Sequence, residues 1–204
     1  MKLFAFRVAP YDNGMYVLAD DRGDALVVDP SMGEAEALRV VRESRLRVVE
    51  ILNTHGHGDH VHDNAALKTA TSARLGIHRL DADRLRPGAS SGSISVPFCE
   101  PDDLLEEGPL ELLRDVELVA LHTPGHTAGS TCFHLPQERI LFSGDVLFEG
   151  TIGRCDFPGG SAAEMERSLA RLAGLPPETA VYPGHGAPTT IARELGWLAG
   201  LKLR

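Results

Sequence analysis

Short apolar runs, separated by turn residues, set the rhythm of this chain. Residues 3–8, 15–19 and 25–29 predict three β-strands, the last ending in LVVD before Pro30. Ala37, Leu38, Val40 and Val41 recur among charges across residues 33–44, the spacing of an amphipathic helix. VVEIL (48–52) predicts a buried strand, residues 61–72 a second helix, and residues 87–101 a Pro- and Gly-rich loop. In the second half VELVAL (116–121), STCFHL (130–135), RILFS (139–143) and TAVYP (179–183) predict strands, the middle two paired. SAAEMERSLARLAG (161–174) predicts a helix, with Ser161 and Glu164 as a capping box and Gly174 as a stop. Strands and helices alternate throughout, which is the mixed α and β class. With no linker and no fixed-period repeat, residues 1–204 are expected to form one domain.

Composition narrows the function. Hydrophobic residues make up 43% and charged residues 24%, an ordinary globular balance. The net charge of −9 argues against a nucleic-acid partner and against an anionic membrane surface. The start, MKLFAFRVAP, has too short an apolar stretch for a secretory signal, and no run approaches the roughly 18 apolar residues of a membrane span. Cys99, Cys132 and Cys155 are few, odd in number and far apart, so no disulfide framework is expected. A reduced, cytoplasmic setting follows as the expectation.

Chemistry concentrates at strand ends. THGHGDHVHDN (54–64) holds four histidines and two aspartates in eleven positions, directly after the strand at 48–52. Three further strands end in the same way: TPGH places His126, SGD places Asp145, and PGH places His185. A solvated polar loop would explain the first stretch alone, not the other three. Residues two apart on an extended chain point the same way, so His55 and His57 can chelate one ion together. Asp59 and His60, one step further on, can reach a second ion, and Asp145 suits a bridging role. Imidazole with carboxylate favours zinc, iron or manganese over calcium.

With these motifs the sequence resembles the metallo-β-lactamase superfamily, whose hallmark is His-x-His-x-Asp-His followed by a lone His, a lone Asp and a last His. Here these are His55, His57, Asp59, His60, His126, Asp145 and His185. GDVLFEGTIGRCDFPGG (144–160) and YPGHGAPTT (182–190) resemble the single-domain, glyoxalase II-like (hydroxyacylglutathione hydrolase-like) group more closely. The resemblance implies a four-layer αβ/βα sandwich, two mixed sheets flanked by helices. It also implies two divalent metal ions, zinc foremost. One would be held by His55, His57 and His126, the other by Asp59, His60 and His185, with Asp145 bridging and Asp59 and Asp145 as the catalytic carboxylates. Longer relatives carry a C-terminal helical domain for glutathione, which this chain is expected to lack.

The implied activity is hydrolysis of a small acyl thioester such as S-lactoylglutathione by a water shared between the metals. No GxSxG marks a serine nucleophile. The alternative is a mono-iron persulfide dioxygenase, which would need only His55, His126 and Asp145. A β-lactamase, a nuclease or a non-catalytic metal-binding member fits the motifs less well. Asp29, His62, Arg154 and Asp156 are candidates to support the ligands or line the pocket, and Cys155 is expected near the metals. Residues 85–115 are expected to border the pocket. His78 is expected at a strand end, His122 in packing and His134 pointing out of its strand, with Cys99 and Cys132 buried.

Overall fold

The computed structural model describes residues 1–86, 94–198 and 200–203. Its first half runs β1 (Lys2–Val8), β2 (Asn13–Ala19), β3 (Asp24–Val28), α1 (Glu34–Ser44), β4 (Arg47–Asn53), α2 (Gly58–Val61), α3 (Asn64–Thr71), β5 (Arg74–His78), a 3₁₀ turn (Ala82–Leu85) and β6 (Asp103–Leu105). The second half runs β7 (Gly108–Leu110), β8 (Leu118–His122), β9 (Thr131–Leu135), β10 (Ile140–Gly144), α4 (Ala162–Leu172), β11 (Ala180–Pro183), β12 (Thr189–Thr190) and α5 (Ile191–Leu198). Two six-stranded sheets result, ordered β1-β2-β3-β4-β5-β6 and β12-β11-β10-β9-β8-β7. Both are mixed: β3 to β6 pair in parallel beside an antiparallel β1–β2–β3 meander, and β10–β11 is the parallel pair of the second sheet.

Alternation along the strands explains the layers. Tyr16, Leu18, Leu26, Val28 and Leu52 of the first sheet meet Leu118, Ala120, Phe133, Leu135 and Phe142 of the second. The intervening residues Met15, Val17, Val27 and Ile51 point the other way, onto Ala37 of α1 and Leu67 of α3. On the far side Cys132, Leu141 and Val181 lie under Met165, Leu169 and Leu172 of α4 and Ile191 of α5. The spacing of Met165, Leu169 and Leu172 is the one-sided stripe of a surface helix. The arrangement is the four-layer sandwich of two mixed sheets flanked by helices. Among the described residues no helix is long and apolar enough to cross a membrane.

Several local expectations change. The helix read over 61–72 is two pieces, because α2 ends at Val61 and α3 begins at Asn64. The strand read over 25–29 stops at Val28, since Asp29 turns into the left-handed region with φ 47°. Ser161 caps α4 by accepting from Glu164 N, but Ser161 N donates to Gly125 O, so the reciprocal half of the capping box is absent. None of residues 94–115 lines the cleft at the strand ends: they carry β6 and β7, one edge strand of each sheet, and Phe98, Glu100, Pro101 and Leu104 border a different hollow, while residues 87–93 lie outside the described part. His134 alternates away from the inter-sheet core yet is covered, and its Nε2 has no hydrogen-bond partner among the described residues.

Candidate metal centre

Four strand ends meet at one edge of the sandwich. β4 runs into Thr54–His60, β8 into His126, β10 into Asp145 and β11 into His185. His57 Nδ1 lies 3.1 Å from His55 Nε2 and 2.8 Å from His126 Nε2. Beside this trio, His60 Nε2 and His185 Nε2 approach to 3.3 Å, and Asp59 Oδ2 lies 3.2 Å from His185 Nε2. Asp145 spans both groups: Oδ1 is 3.3 Å from His60 Nε2, and Oδ2 is 3.4 Å from His126 Nε2 and 3.6 Å from His185 Nε2. Gly184 permits that approach, because a Cβ there would stand 2.2 Å from Asp145 Oδ1.

The outward nitrogens of four imidazoles are tied back. His126 Nδ1 donates to Arg154 O at 2.7 Å, and His185 Nδ1 to Tyr11 O at 2.9 Å. His55 Nδ1 donates to Thr54 Oγ1 at 3.0 Å, and His60 Nδ1 to Asp29 Oδ2 at 3.0 Å. Each bond leaves the Nε2 lone pair facing its neighbours.

Electrostatics separates the two groups. Burial, then the neighbouring imidazoles, pushes His55 well below its ordinary value and His57 down to about 4. Burial also lowers His126, against the pull of Asp145. Burial opposes protonation of His60 and His185 too, but Asp145 and Asp29 hold His60 well above its ordinary value, and Asp59 and Asp145 raise His185. Burial works to raise both carboxyls, yet His185 and His60 keep Asp59 low, and His60 and His126 keep Asp145 low.

These residues fit a divalent transition metal. Within the His55–His57–His126 trio, whose rings burial keeps neutral, nitrogens packed lone pair to lone pair repel one another unless a cation sits among them. Asp145 Oδ1 is buried without a hydrogen-bond partner, its approach to His60 being a charge contact without hydrogen-bond geometry. Two trios, His55–His57–His126 and Asp59–His60–His185, each bring their ligand atoms within 4.8 Å of one another. Such a donor set of imidazole and carboxylate is that of zinc, iron or manganese.

The supporting candidates divide. Asp29 is buried and accepts from Thr54 N, Thr54 Oγ1 and His60 Nδ1. Arg154 lines the cleft above the centre, and its carbonyl anchors His126. His62 turns away to Asp63, and Asp156 pairs with Arg154 at the surface; neither lines the cleft. Cys155 lines an adjoining hollow with Ala162 and Leu203 and is not among the residues lining the cleft. His78 and His122 stack on each other at 4.1 Å, and neither is among the residues lining the cleft. Sequence reasoning missed Asn13, whose Nδ2 donates to Asp59 Oδ2 at 3.0 Å, and Thr54, the link between Asp29 and His55. Asn13 lies in an unremarkable DNG stretch at the start of β2, whereas Thr54 adjoins the motif and could have been found by asking what fixes His55. The cleft has a volume of about 490 Å³, with walls from Phe148, Phe157, Pro158 and Arg84.

The chain is similar to known proteins. The hydroxyacylglutathione hydrolase of Maricaulis maris is 34% identical over 183 residues, which cover 89% of this chain and 65% of that protein. The solved structure of BLEG-1, a B3 metallo-beta-lactamase, is 30% identical with a TM-score of 0.88, covering 96% of this chain and 97% of that one. TTHA1623, solved in a di-iron-bound form, is 35% identical with a TM-score of 0.84, covering 94% of this chain and 96% of that one. The model of the metallo-beta-lactamase superfamily matches residues 10–185. On its motifs, its fold and these matches, the chain belongs to the metallo-beta-lactamase superfamily.

Proposed function

We propose that this protein is a dinuclear metallo-hydrolase acting on small acyl thioesters, with S-lactoylglutathione as the first candidate. The observation that carries the reading is Asp145, whose two oxygens face two separate ligand trios beneath an apolar-walled cleft. In this reading His55, His57 and His126 hold one divalent ion, Asp59, His60 and His185 the second, and Asp145 serves both. Bound divalent cations supply Lewis acidity and bring the pKa of water from about 15.7 to about 7.

The chain's own residues do the rest. Arg154 O and Tyr11 O fix the ring orientations of His126 and His185. Phe148, Phe157 and Pro158 shield the reacting carbonyl from bulk water. Hydrolysis forms a C–O bond and breaks the C–S bond, and a thiolate leaves without a strong acid to assist it. None of the described residues lining the cleft is Ser, Thr or Cys, so no hydroxyl or thiol nucleophile competes with water there. The likeness to a protein named hydroxyacylglutathione hydrolase supports the substrate class.

A mono-iron persulfide dioxygenase would use His55, His126 and Asp145 and leave the trio of Asp59, His60 and His185 without a task. Zinc is the metal we favour; the di-iron form of TTHA1623 makes iron the rival. The test is metal analysis followed by a substrate panel on one sample. Two metals per chain, turnover of a thioester and no oxygen uptake are expected. One iron with oxygen uptake, or turnover confined to a β-lactam, overturns the reading. Cytoplasmic residence and a small-molecule partner, without nucleic acid or membrane, belong to the same proposal.

A further inference from the structure

Arg84 occupies an unusual seat. Its stem lies against Gly56, inside the His-x-His motif, where a Cβ would meet Arg84 Cβ at 2.7 Å and Cδ at 2.9 Å. Its far end lies under Gly159, where a Cβ would stand 2.9 Å from Nη2, and Nη2 donates to Pro158 O at 2.6 Å. The side chain is thus threaded between two glycine-bearing loops, and it lines the cleft beside His57 and Phe157. It is only 20% exposed.

Its charge is met along one edge of the guanidinium only. The nearest carboxylate, Asp81, is fully buried and lies 3.5 Å from Arg84 Nε. Asp81 is already engaged by Gly56 N at 2.8 Å, Thr127 Oγ1 at 2.7 Å and Gly129 N at 2.9 Å. Arg154, the other cation on the cleft wall, has its own bidentate partner in Asp156, at 2.7 Å through both nitrogens, and stacks on Phe157 at 3.9 Å. A guanidinium that is largely buried, held rigidly and left with no acceptor for Nη1 among the described residues is a preorganised carboxylate anchor.

We propose that Arg84 is the specificity-determining residue of the cleft, binding a carboxylate carried by the substrate so that acidic thioesters are preferred to neutral ones. The inference deepens the thioesterase reading and rests on it for the word thioester, but the anchor itself can be tested without catalysis.

The experiment uses metal-loaded protein and two matched pairs: S-lactoylglutathione with its dimethyl ester, and S-methylglutathione, which has no scissile thioester, with its dimethyl ester. Turnover is measured on the first pair and calorimetric affinity on the second. Wild type is expected to favour the acid of each pair by about 10- to 100-fold, the range of a charge-assisted hydrogen bond. Arg84→Gln keeps a donor for Pro158 O and removes the charge; it is expected to collapse the acid-to-ester ratio, with the change in KM. Arg84→Lys is expected to restore part of it. A ratio near one in wild type, or a ratio unchanged in Arg84→Gln, overturns the assignment. Should the thioether acid bind selectively through Arg84 while no thioester is cleaved, the anchor stands and the thioesterase reading falls.

Discussion

Thr54 Oγ1 donates to Asp29 Oδ2 across 2.6 Å, and through that bond one buried carboxylate steadies two metal-facing imidazoles. Asp29 holds His60 Nδ1 directly, and Thr54 passes its influence to His55 Nδ1. In the proposed allocation His55 and His60 hold different ions, so Asp29, which also lies within ligand distance of both rings, would support both halves of the centre. Asp29→Ala is therefore expected to weaken metal binding at both positions by about 10- to 100-fold, the usual effect of removing a group that orients a metal histidine. Competition with a metal-sensitive chelator measures it. Weakening of one ion alone would break the link drawn through Thr54.

Gly184 offers a geometric test. Its missing side chain leaves room for Asp145 Oδ1 and for His60 Cε1, which a Cβ would approach to 2.2 Å and 2.7 Å. Gly184→Ala must displace one of these ligands by a large fraction of an ångström. A displacement of about 1 Å can cost about 100-fold in rate. Turnover is expected to fall by that order while far-ultraviolet circular dichroism stays native. Wild-type turnover in Gly184→Ala would mean that the Asp145–His60 proximity is dispensable.

How the site could be read from sequence follows from where its parts lie. His55, His57, Asp59 and His60 are adjacent in the chain, and His126, Asp145 and His185 each follow an apolar run and a glycine, so strand ends could be matched with ligands residue by residue. Asn13, Tyr11 and Arg84 carry no such mark. They reach the centre because β2 abuts β11 through the Asn13–His185 bridge and because the 3₁₀ turn folds over Gly56, and both facts are tertiary. The short edge strands β6 and β7 were illegible for a similar reason: three residues each, one with Pro109 and one with exposed Leu104, they are strands only because a sheet edge receives them. Cys155 follows Gly153 and Arg154, which line the cleft, but is not itself among the lining residues and borders the adjoining hollow that the same two residues share.

The N-cap of α4 makes a modest and separable prediction. Ser161 Oγ accepts from Glu164 N at 3.3 Å, and α4 covers the outer face of the second sheet. With the reciprocal bond from Glu164 absent, the cap works through the hydroxyl alone. Ser161→Ala is expected to destabilise the protein by about 1 kcal/mol, which for a chain of this size lowers the melting temperature by about 2–4 °C. Calorimetry of both proteins reads the shift, and an unchanged transition would show the helix start to be held by other contacts.

Glu50 sets the last prediction, in the stability of the fold against pH. It lies on β4 at 2% exposure, on the face it shares with Leu52, and its Oε1 has no hydrogen-bond partner among the described residues. Burial, reinforced by Asp103 and only partly offset by Arg74, raises its carboxyl from 4.5 to about 8. The sign follows from proton counting: between those two values the folded protein keeps a proton that the unfolded chain has released. The contribution is therefore fully favourable below the unfolded value and is lost as pH climbs toward the folded one. At about 1.4 kcal/mol per unit, the loss across this window is on the order of a few kcal/mol. Glu50→Gln, which cannot ionise, is expected to hold its melting temperature between pH 5 and pH 8 better than wild type. The difference curve between the two proteins reports Glu50 together with its coupling to Asp103. A difference that stays flat across that range would mean the carboxyl ionises freely, and that the end of β4 opens to water more readily than its packing implies.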